Sequence, residues 1–178
     1  MIFLPTPVEG AYHIEIEPSR DDRGFFSRVT CEKEFHTVGI NPLFKQCNMQ
    51  FNKKAGTLRG MHLQHEPFAE EKLIRCTRGA IFDVIVDMRE GSASYLKWFG
   101  MELSAENRTM LYIPKGVAHG YVTITDEAET FYMVTEFYAP EYEWGVRFDD
   151  PIIGIDWPDI KPLVISKKDR GWPLVVSI

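Results

Sequence analysis

Turn-forming residues recur along this sequence at short intervals, and their spacing constrains the fold more than any other feature. Turn signals appear roughly every 8–12 residues, and the segments between them are short and rich in Val, Ile, Thr, Phe and Tyr. A regular series of short strands joined by tight turns is typical of sandwiches and barrels of antiparallel strands. The sequence therefore predicts an all-β fold. The turn signals lie at residues 21–24, 52–56, 78–79, 89–92, 114–116 and 126–127.

The clearest strands are predicted at residues 80–88, 109–113, 120–125 and 129–138. In the last of these, Thr130, Tyr132 and Val134 face one side, and the intervening residues face the other. Helix is predicted only at residues 31–38, ended by Gly39, and as a short turn at residues 166–169. Neither a repeat nor a linker interrupts the pattern, so residues 1–178 are predicted to form a single domain.

Composition excludes several classes of protein. The 26 acidic and 20 basic residues give a net charge of −6, which argues against a nucleic-acid-binding protein. No stretch approaches the roughly 20 apolar residues that cross a bilayer, and the N-terminus has no signal-peptide pattern. Cys31, Cys47 and Cys76 lack the spacing of a disulfide framework or a zinc site. We therefore expect reduced thiols, a cytoplasmic location, and no membrane or nucleic-acid partner.

Two segments concentrate residues that can carry chemistry. In Gly56-Thr57-Leu58-Arg59-Gly60-Met61-His62, the histidine has a side chain suited to proton transfer near neutral pH. Several Arg and Lys residues follow at positions 72–78, and guanidinium groups are natural partners of phosphate oxygens. The second segment, residues 113–121, is a Pro- and Gly-containing turn that leads to His119.

A similar turn supplies a metal ligand in metal-dependent cupins. Those proteins add a His-x-His pair and a Glu about five residues further on. Here Gln64 replaces the second histidine of the pair, Ala69 occupies the glutamate position, and Glu70 is one residue out of register. This donor set suits iron or zinc poorly. The sequence therefore predicts no metal, and a metal-dependent oxygenase is an alternative to be tested.

These and further motifs resemble the dTDP-4-dehydrorhamnose 3,5-epimerase family over nearly the whole chain. Their order and spacing together carry the resemblance, which implies a cupin-type jelly-roll barrel with one or two short helices. The matching segments are Asp21-Asp22-Arg23-Gly24-Phe25-Phe26, residues 56–62, Lys72-Leu73-Ile74-Arg75, residues 83–87, residues 113–120, Tyr138-Ala139-Pro140-Glu141, Asp156-Trp157-Pro158 and Ser166-Lys167-Lys168-Asp169.

The resemblance also implies a mechanism. Members of this family invert carbons beside the 4-keto group of a nucleotide-linked 6-deoxy sugar, without nicotinamide or metal. The resemblance assigns the base to His62, oriented by Asp169, and the acid to Tyr132. It places Lys72 near the developing oxyanion, where a fixed charge favours catalysis.

For binding, the resemblance assigns Arg59 to the diphosphate, Arg23 and Phe26 to the nucleotide end, and four further residues to the substrate. These four are Gln46, Asn48, His119 and Tyr138. It also implies a homodimer in which the N-terminal segment carrying Arg23 enters the partner's site.

Two positions depart from the common family pattern, and the segment at residues 144–150 is unlike the commoner Trp-Asn-Asp form. Arg28 stands where many members have Glu, and Met133 stands where many have Lys after the catalytic tyrosine. The nucleotide, the sugar and the carbons inverted therefore stay open. The alternatives are a single-carbon epimerase, a 3,4-ketoisomerase, and a sugar-nucleotide-binding cupin without activity.

Overall fold

Strands dominate the structure, a computed structural model that describes residues 1–40, 43–161 and 163–175. Two large sheets and a separate hairpin contain them, and every pairing is antiparallel except that of the last strand. The first sheet has the order β1 (Ile2–Pro5), β2 (Tyr12–Glu15), β10 (Met110–Ile113), β7 (Lys72–Arg78), β12 (Ala128–Val134), β5 (Gln46–Asn52).

The second sheet has the order β13 (Glu143–Gly145), β6 (Thr57–Gln64), β11 (Val117–Thr123), β8 (Ala80–Asp87), β9 (Trp98–Ser104). Strand β14 (Val164–Ile165) pairs with β6 in parallel. Strands β3 (Ser19–Asp21) and β4 (Gly24–Phe26) form the hairpin. Helix is limited to α1 (Glu32–His36), α2 (Lys167–Arg170) and a 3₁₀ turn at Pro140–Tyr142.

The two sheets face each other across a shared apolar core. Ile74 of β7, Ile85 of β8 and Leu111 of β10 are among the buried side chains that meet there. The outer face of the first sheet packs against Phe35 of α1, and that of the second packs against Val146 and the segment beyond it. Burial on both faces explains why the strands carry apolar residues on both sides. The prediction of an all-β, cupin-type barrel with two short helices is confirmed.

All four predicted strands are present with different boundaries, and the strand predicted at residues 80–88 ends at Asp87. The strand predicted at residues 129–138 spans Ala128–Val134. At the next register position the Glu71 amide donates to the Thr135 side-chain oxygen, and the ladder ends there. The strand predicted at 120–125 spans Val117–Thr123, and that predicted at 109–113 starts at Met110. The helix predicted at 31–38 is confirmed as α1 and its following turn, which ends at Gly39 with φ of +77°.

The described residues contain no helix that is long and apolar enough to cross a membrane.

Candidate active site

A cavity lies between the two sheets, with about 520 Å³ of space that is open to solvent. A second cleft of about 960 Å³ adjoins it, and the two share Gln50, His62 and Tyr132. Most of the candidate residues from the sequence line one or the other. The candidates that line the cavity are Arg59, His62, Lys72, His119, Tyr132 and Asp169. Those that line the cleft are Gln46, Asn48 and Tyr138.

Two glycines let β6 and β11 approach closely beside the cavity. Gly60 has φ of +122°, and a Cβ atom built on it would lie 2.5 Å from the Cα of Gly120. Any other residue at position 60 would therefore push the two strands apart. The contact coincides with a register shift between His119 and Tyr121, and next to it His119 and His62 are direct partners in the ladder. The Arg-Gly-Met-His sequence thus sets two imidazoles side by side.

His62 forms a dyad with Asp169, although 107 residues separate them. The His62 Nε2 and the Asp169 Oδ1 are 2.6 Å apart, and the Asp169 side chain is only 7% exposed. Strand β14 brings Asp169 there, because it pairs with β6 just before α2 begins. The Ser166 side chain caps α2 by accepting a hydrogen bond from the Asp169 amide.

The environment of Asp169 keeps its carboxylate ionised. Burial acts to raise its pKa, but hydrogen bonds from His62, the Ser166 hydroxyl and the Gly60 amide outweigh burial and leave the pKa below its ordinary value. An ionised carboxylate on one imidazole nitrogen supports uptake of a proton by the other nitrogen. The dyad is therefore suited to act as a base.

Tyr132 and Lys72 enter from the first sheet, opposite the dyad. Burial is the main cause that raises the pKa of the Tyr132 phenol, so the hydroxyl is neutral near pH 7 and available as a proton donor. The Lys72 ammonium lies 3.1 Å from the Glu70 carboxylate, and both side chains are largely buried. The cavity thus has a phenol and a cation on one wall and a histidine–carboxylate dyad on the other.

His119 forms a second dyad in the same cavity. Its Nε2 lies 2.8 Å from the Oδ1 of Asp83, whose side chain is completely buried on β8. Burial raises the pKa of Asp83, and the charge of His119 acts in the opposite direction. Sequence reasoning quoted Asp83 only as part of a motif. A single Asp in the middle of the apolar sequence Ala80-Ile81-Phe82-Asp83-Val84 was the signal that a buried partner exists.

Arg59 is held in place by a hydrogen-bond network. Its Nε donates to Asn52 Oδ1 over 2.8 Å. The amide of Asn52 donates to the Tyr121 hydroxyl, which donates to Gln50 Oε1 over 2.9 Å. These contacts use one of the five guanidinium donors and leave the forked end for an anion.

Gln64 and Glu70 have structural contacts of their own. Gln64 donates to the carbonyls of Phe68 and Phe137 and accepts from the Ala139 amide, so it braces the loops beside the cleft. Glu70 lies in the cleft, paired with Lys72. Within residues 1–40, 43–161 and 163–175, no group of three or more His, Cys, Asp or Glu side chains could hold a metal ion.

Tyr138 lies at the rim of the cleft in a small polar cluster. Its hydroxyl donates to Glu143 Oε2 over 2.7 Å, and Lys168 pairs with the same carboxylate. The hydrogen bond to Glu143 is the main cause that raises the pKa of Tyr138. This cluster links the loop after β12 to α2, and sequence reasoning missed the parts played by Glu143 and Lys168.

Arg23 and Phe26 lie outside this cavity. They belong to the hairpin of β3 and β4, where the Arg23 side chain is 89% exposed and Phe26 is 72% exposed. Arg23 pairs with Asp21 of its own hairpin. Within one chain, the structure therefore does not bring the two residues to the other candidates.

Comparison with known proteins places the chain in a family. A family model described as dTDP-4-dehydrorhamnose 3,5-epimerase matches residues 5–176. The chain belongs to this family. An epimerase of that name from Methanothermobacter thermautotrophicus is 45% identical over 172 residues, which cover 96% of this chain and 92% of the relative.

Solved structures of the epimerase family agree with this assignment. The enzyme from Elizabethkingia anophelis has 40% identity and a TM-score of 0.94, covering 98% of this chain and 96% of its own. An epimerase from Legionella pneumophila, solved with dTDP-4-keto-L-rhamnose, has 35% identity and a TM-score of 0.91, covering 97% and 92%. The family is one of isomerases that act on a sugar nucleotide.

The departures from the common epimerase pattern at positions 28 and 133 lie away from the cavity in this chain. The Arg28 guanidinium pairs with Glu34 at 2.7 Å. Met133 packs against the outer cluster around Phe35 and Ile14. Neither residue is among the described side chains that line the cavity or the cleft.

Proposed function

We propose that this protein inverts C3, C5 or both in a nucleotide-linked 4-keto-6-deoxyhexose. The expected reaction converts dTDP-4-dehydro-6-deoxy-D-glucose to dTDP-4-dehydro-L-rhamnose, or acts on a close analogue. One observation carries the proposal: the His62–Asp169 dyad and the Tyr132 phenol stand on opposing sheets of one cavity. Inversion of a carbon needs a base on one face and an acid on the other, and this arrangement supplies both.

The chemistry follows from the acidity of carbons beside a ketone. His62 removes the proton from such a carbon, and electrons flow to the C4 oxygen to form an enolate. The Lys72 ammonium stabilises the negative charge that develops on this oxygen. Tyr132 then delivers a proton to the opposite face, which restores the ketone with the carbon inverted. No redox change occurs, so the residues of the chain suffice.

Binding of the substrate is assigned to the remaining candidates. Arg59, pre-oriented by Asn52, is the proposed partner of the diphosphate. His119 lies beside His62 in the ladder, close to where the reacting sugar would sit. Gln46, Asn48 and Tyr138 line the adjoining cleft. The substrate class agrees with the Legionella relative, which was solved with dTDP-4-keto-L-rhamnose.

We further propose a homodimer in which Arg23 and Phe26 complete the partner's site at its nucleotide end. The exposure of the hairpin and of Phe26 supports this arrangement. Met49 and Phe51 on the outer face of β5 are also exposed, and apolar side chains of this size favour a covered interface.

Mixing two defective variants tests the exchange of the hairpin. In a mixed dimer of Arg23→Ala and His62→Ala chains, one site would have an intact His62 and receive an intact Arg23 from the partner. After the two variants are refolded together, we expect the mixture to show activity at low substrate concentration. Neither variant should show this activity alone. Failure to regain activity in demonstrated mixed dimers would contradict the exchange.

We assign the activity to the cytoplasm and to one domain formed by residues 1–178. Cys31, Cys47 and Cys76 are all free thiols, which agrees with a reducing compartment. The family match over residues 5–176 supports a single unit.

Incubation with dTDP-4-dehydro-6-deoxy-D-glucose in heavy water tests the proposed function. We expect NMR to show deuterium at C3 and C5 and formation of the inverted product, and His62→Ala to abolish both. Deuterium at one carbon only would identify a single-carbon epimerase. Movement of the keto group to C3 would identify a ketoisomerase. Binding without exchange would contradict catalysis.

A further inference from the structure

Trp172 packs directly against the His62 imidazole from the C-terminal segment. The two ring centroids are 5.9 Å apart, and the ring planes are inclined at 65°, an edge-to-face arrangement. Such aromatic pairs have a preferred geometry and restrict each other's orientation. Trp172 is not among the described residues that line the cavity or the cleft. Its ring also lies 5.8 Å from the Lys168 ammonium, so it contacts the site only through the side chains of other residues.

The chain provides a fitted slot for this indole. Gly145 of β13 is the ladder partner of His62, and a Cβ atom built on it would lie 2.7 Å from Trp172 Cε2. Absence of a side chain at position 145 therefore lets the indole reach the imidazole. Backbone contacts hold the segment in place, because Arg147 N donates to the Pro173 carbonyl over 3.0 Å. The Val175 amide donates to Asp150 Oδ2 over 2.6 Å.

The contact with His62 involves the indole ring and not its N–H group. Trp172 Nε1 is buried and has no hydrogen-bond partner within residues 1–40, 43–161 and 163–175. A buried donor without a partner costs free energy, so a phenyl ring would serve the same packing role.

We propose that Trp172 is a positioning residue for the base of the proposed epimerase reaction. Its edge-to-face contact holds the His62 ring in the orientation in which Nε2 bonds to Asp169. The other ring nitrogen is then fixed for proton removal. This inference rests on the proposed function, because it assigns Trp172 a part in that same proton transfer.

Kinetics of three variants of the full chain test the proposal. Trp172→Ala should lower kcat by about 3- to 10-fold, the size expected for loss of an aromatic pair, with KM unchanged. Trp172→Phe should stay within about twofold of the wild-type kcat. Trp144→Ala is the matched control, because Trp144 makes a similar ring contact, at 5.5 Å, with His65. Its kcat should be unaffected.

Imidazole NMR gives a second readout that does not need turnover. Long-range ¹H–¹⁵N spectra should show a single tautomer for His62 in the wild type and in Trp172→Phe, and averaged nitrogen shifts in Trp172→Ala. Thermal melting confirms that each variant is folded, and Trp172→Leu replaces the alanine variant if that one unfolds. An unchanged kcat and a single tautomer in the folded Ala or Leu variant would overturn the proposal, and so would an equal loss in Trp172→Phe. If the enzyme lacks epimerase activity, the NMR result still decides the positioning role.

Discussion

Replacement of Asp169 by Asn tests the dyad most directly, because it removes one charge and keeps the shape. The contact with His62 is 2.6 Å long, and the Asp169 side chain is only 7% exposed, so solvent screens it little. A hydrogen bond to a charged group in such a place contributes about 1.5–3 kcal/mol. Since 1.36 kcal/mol is a factor of ten in rate, this loss alone predicts about a 10- to 150-fold slower reaction.

A second effect acts in the same direction. The asparagine NH₂ group would donate to His62 Nε2, which moves the imidazole proton to the nitrogen that must act as the base. In a catalytic triad, the corresponding wrong tautomer lowers kcat by about 10⁴. We therefore expect Asp169→Asn to lose at least about tenfold, and up to about 10⁴-fold, in solvent exchange at the sugar carbons.

The assay is the initial rate of deuterium incorporation, measured alongside titration of dTDP. The pKa of Asp169 is lowered below its ordinary 3.8, because its hydrogen bonds outweigh the opposing effect of burial. The carboxylate therefore stays ionised from pH 5 to 9, and the defect should persist across that range. Asp159→Asn, an exposed site paired with Lys161, is the control. Near-normal exchange in Asp169→Asn, or a defect explained entirely by weaker dTDP binding, would refute the reasoning.

Three other predictions follow from the same cavity. Tyr132→Phe should still exchange the acidic proton in heavy water, since His62 can remove and return it on one face. Formation of the inverted product should fall by about 10²–10⁴, and an unchanged ratio of exchange to inversion, measured by NMR, would remove Tyr132 from the mechanism. Arg59→Ala should weaken dTDP binding by about 1.5–3 kcal/mol in calorimetric titration, whereas equal affinity would mean that the phosphates bind elsewhere. Activity should persist in a metal chelator, and a loss restored by one added metal would revive the oxygenase alternative.

Local pattern predicted the fold class well and the strand ends less well. The alternation of side chains along a strand and the positions of turn residues are features of the local sequence. They were enough to locate the strands around Ala80, Met110 and Thr130. The end of β12 depends on a long-range contact instead. Thr135 is as compatible with a strand as its neighbours are, but its side-chain oxygen accepts the bond from the Glu71 amide where the ladder ends. A partner 64 residues away leaves no trace in the local pattern.

The residues of the candidate site were likewise predicted only in part from the sequence. Five residues named from the family motifs line one cavity, because those motifs mark positions on the strands and the short helix that surround it. They are Arg59, His62, Lys72, His119 and Asp169. Trp172 and Gly145 belonged to no motif with an assigned role, and their contact exists only after the C-terminal segment has folded back across β13. Arg23 and Phe26 could not be placed in the site from a single chain, since both side chains are exposed and line neither the cavity nor the cleft.

Two histidine–carboxylate dyads share the cavity, and burial distinguishes what each is suited to do. A base that gains and loses a proton in every turnover needs a carboxylate that stays ionised throughout. Asp169 meets this condition, because its hydrogen bonds hold its pKa below the ordinary value despite its burial. Asp83 is completely buried, and burial raises its pKa, so the protein stabilises its charged form less. Environments that push two carboxyl pKa values apart separate the roles of their partners. This difference favours His62 as the group that takes the proton and His119 as a polar contact for the substrate.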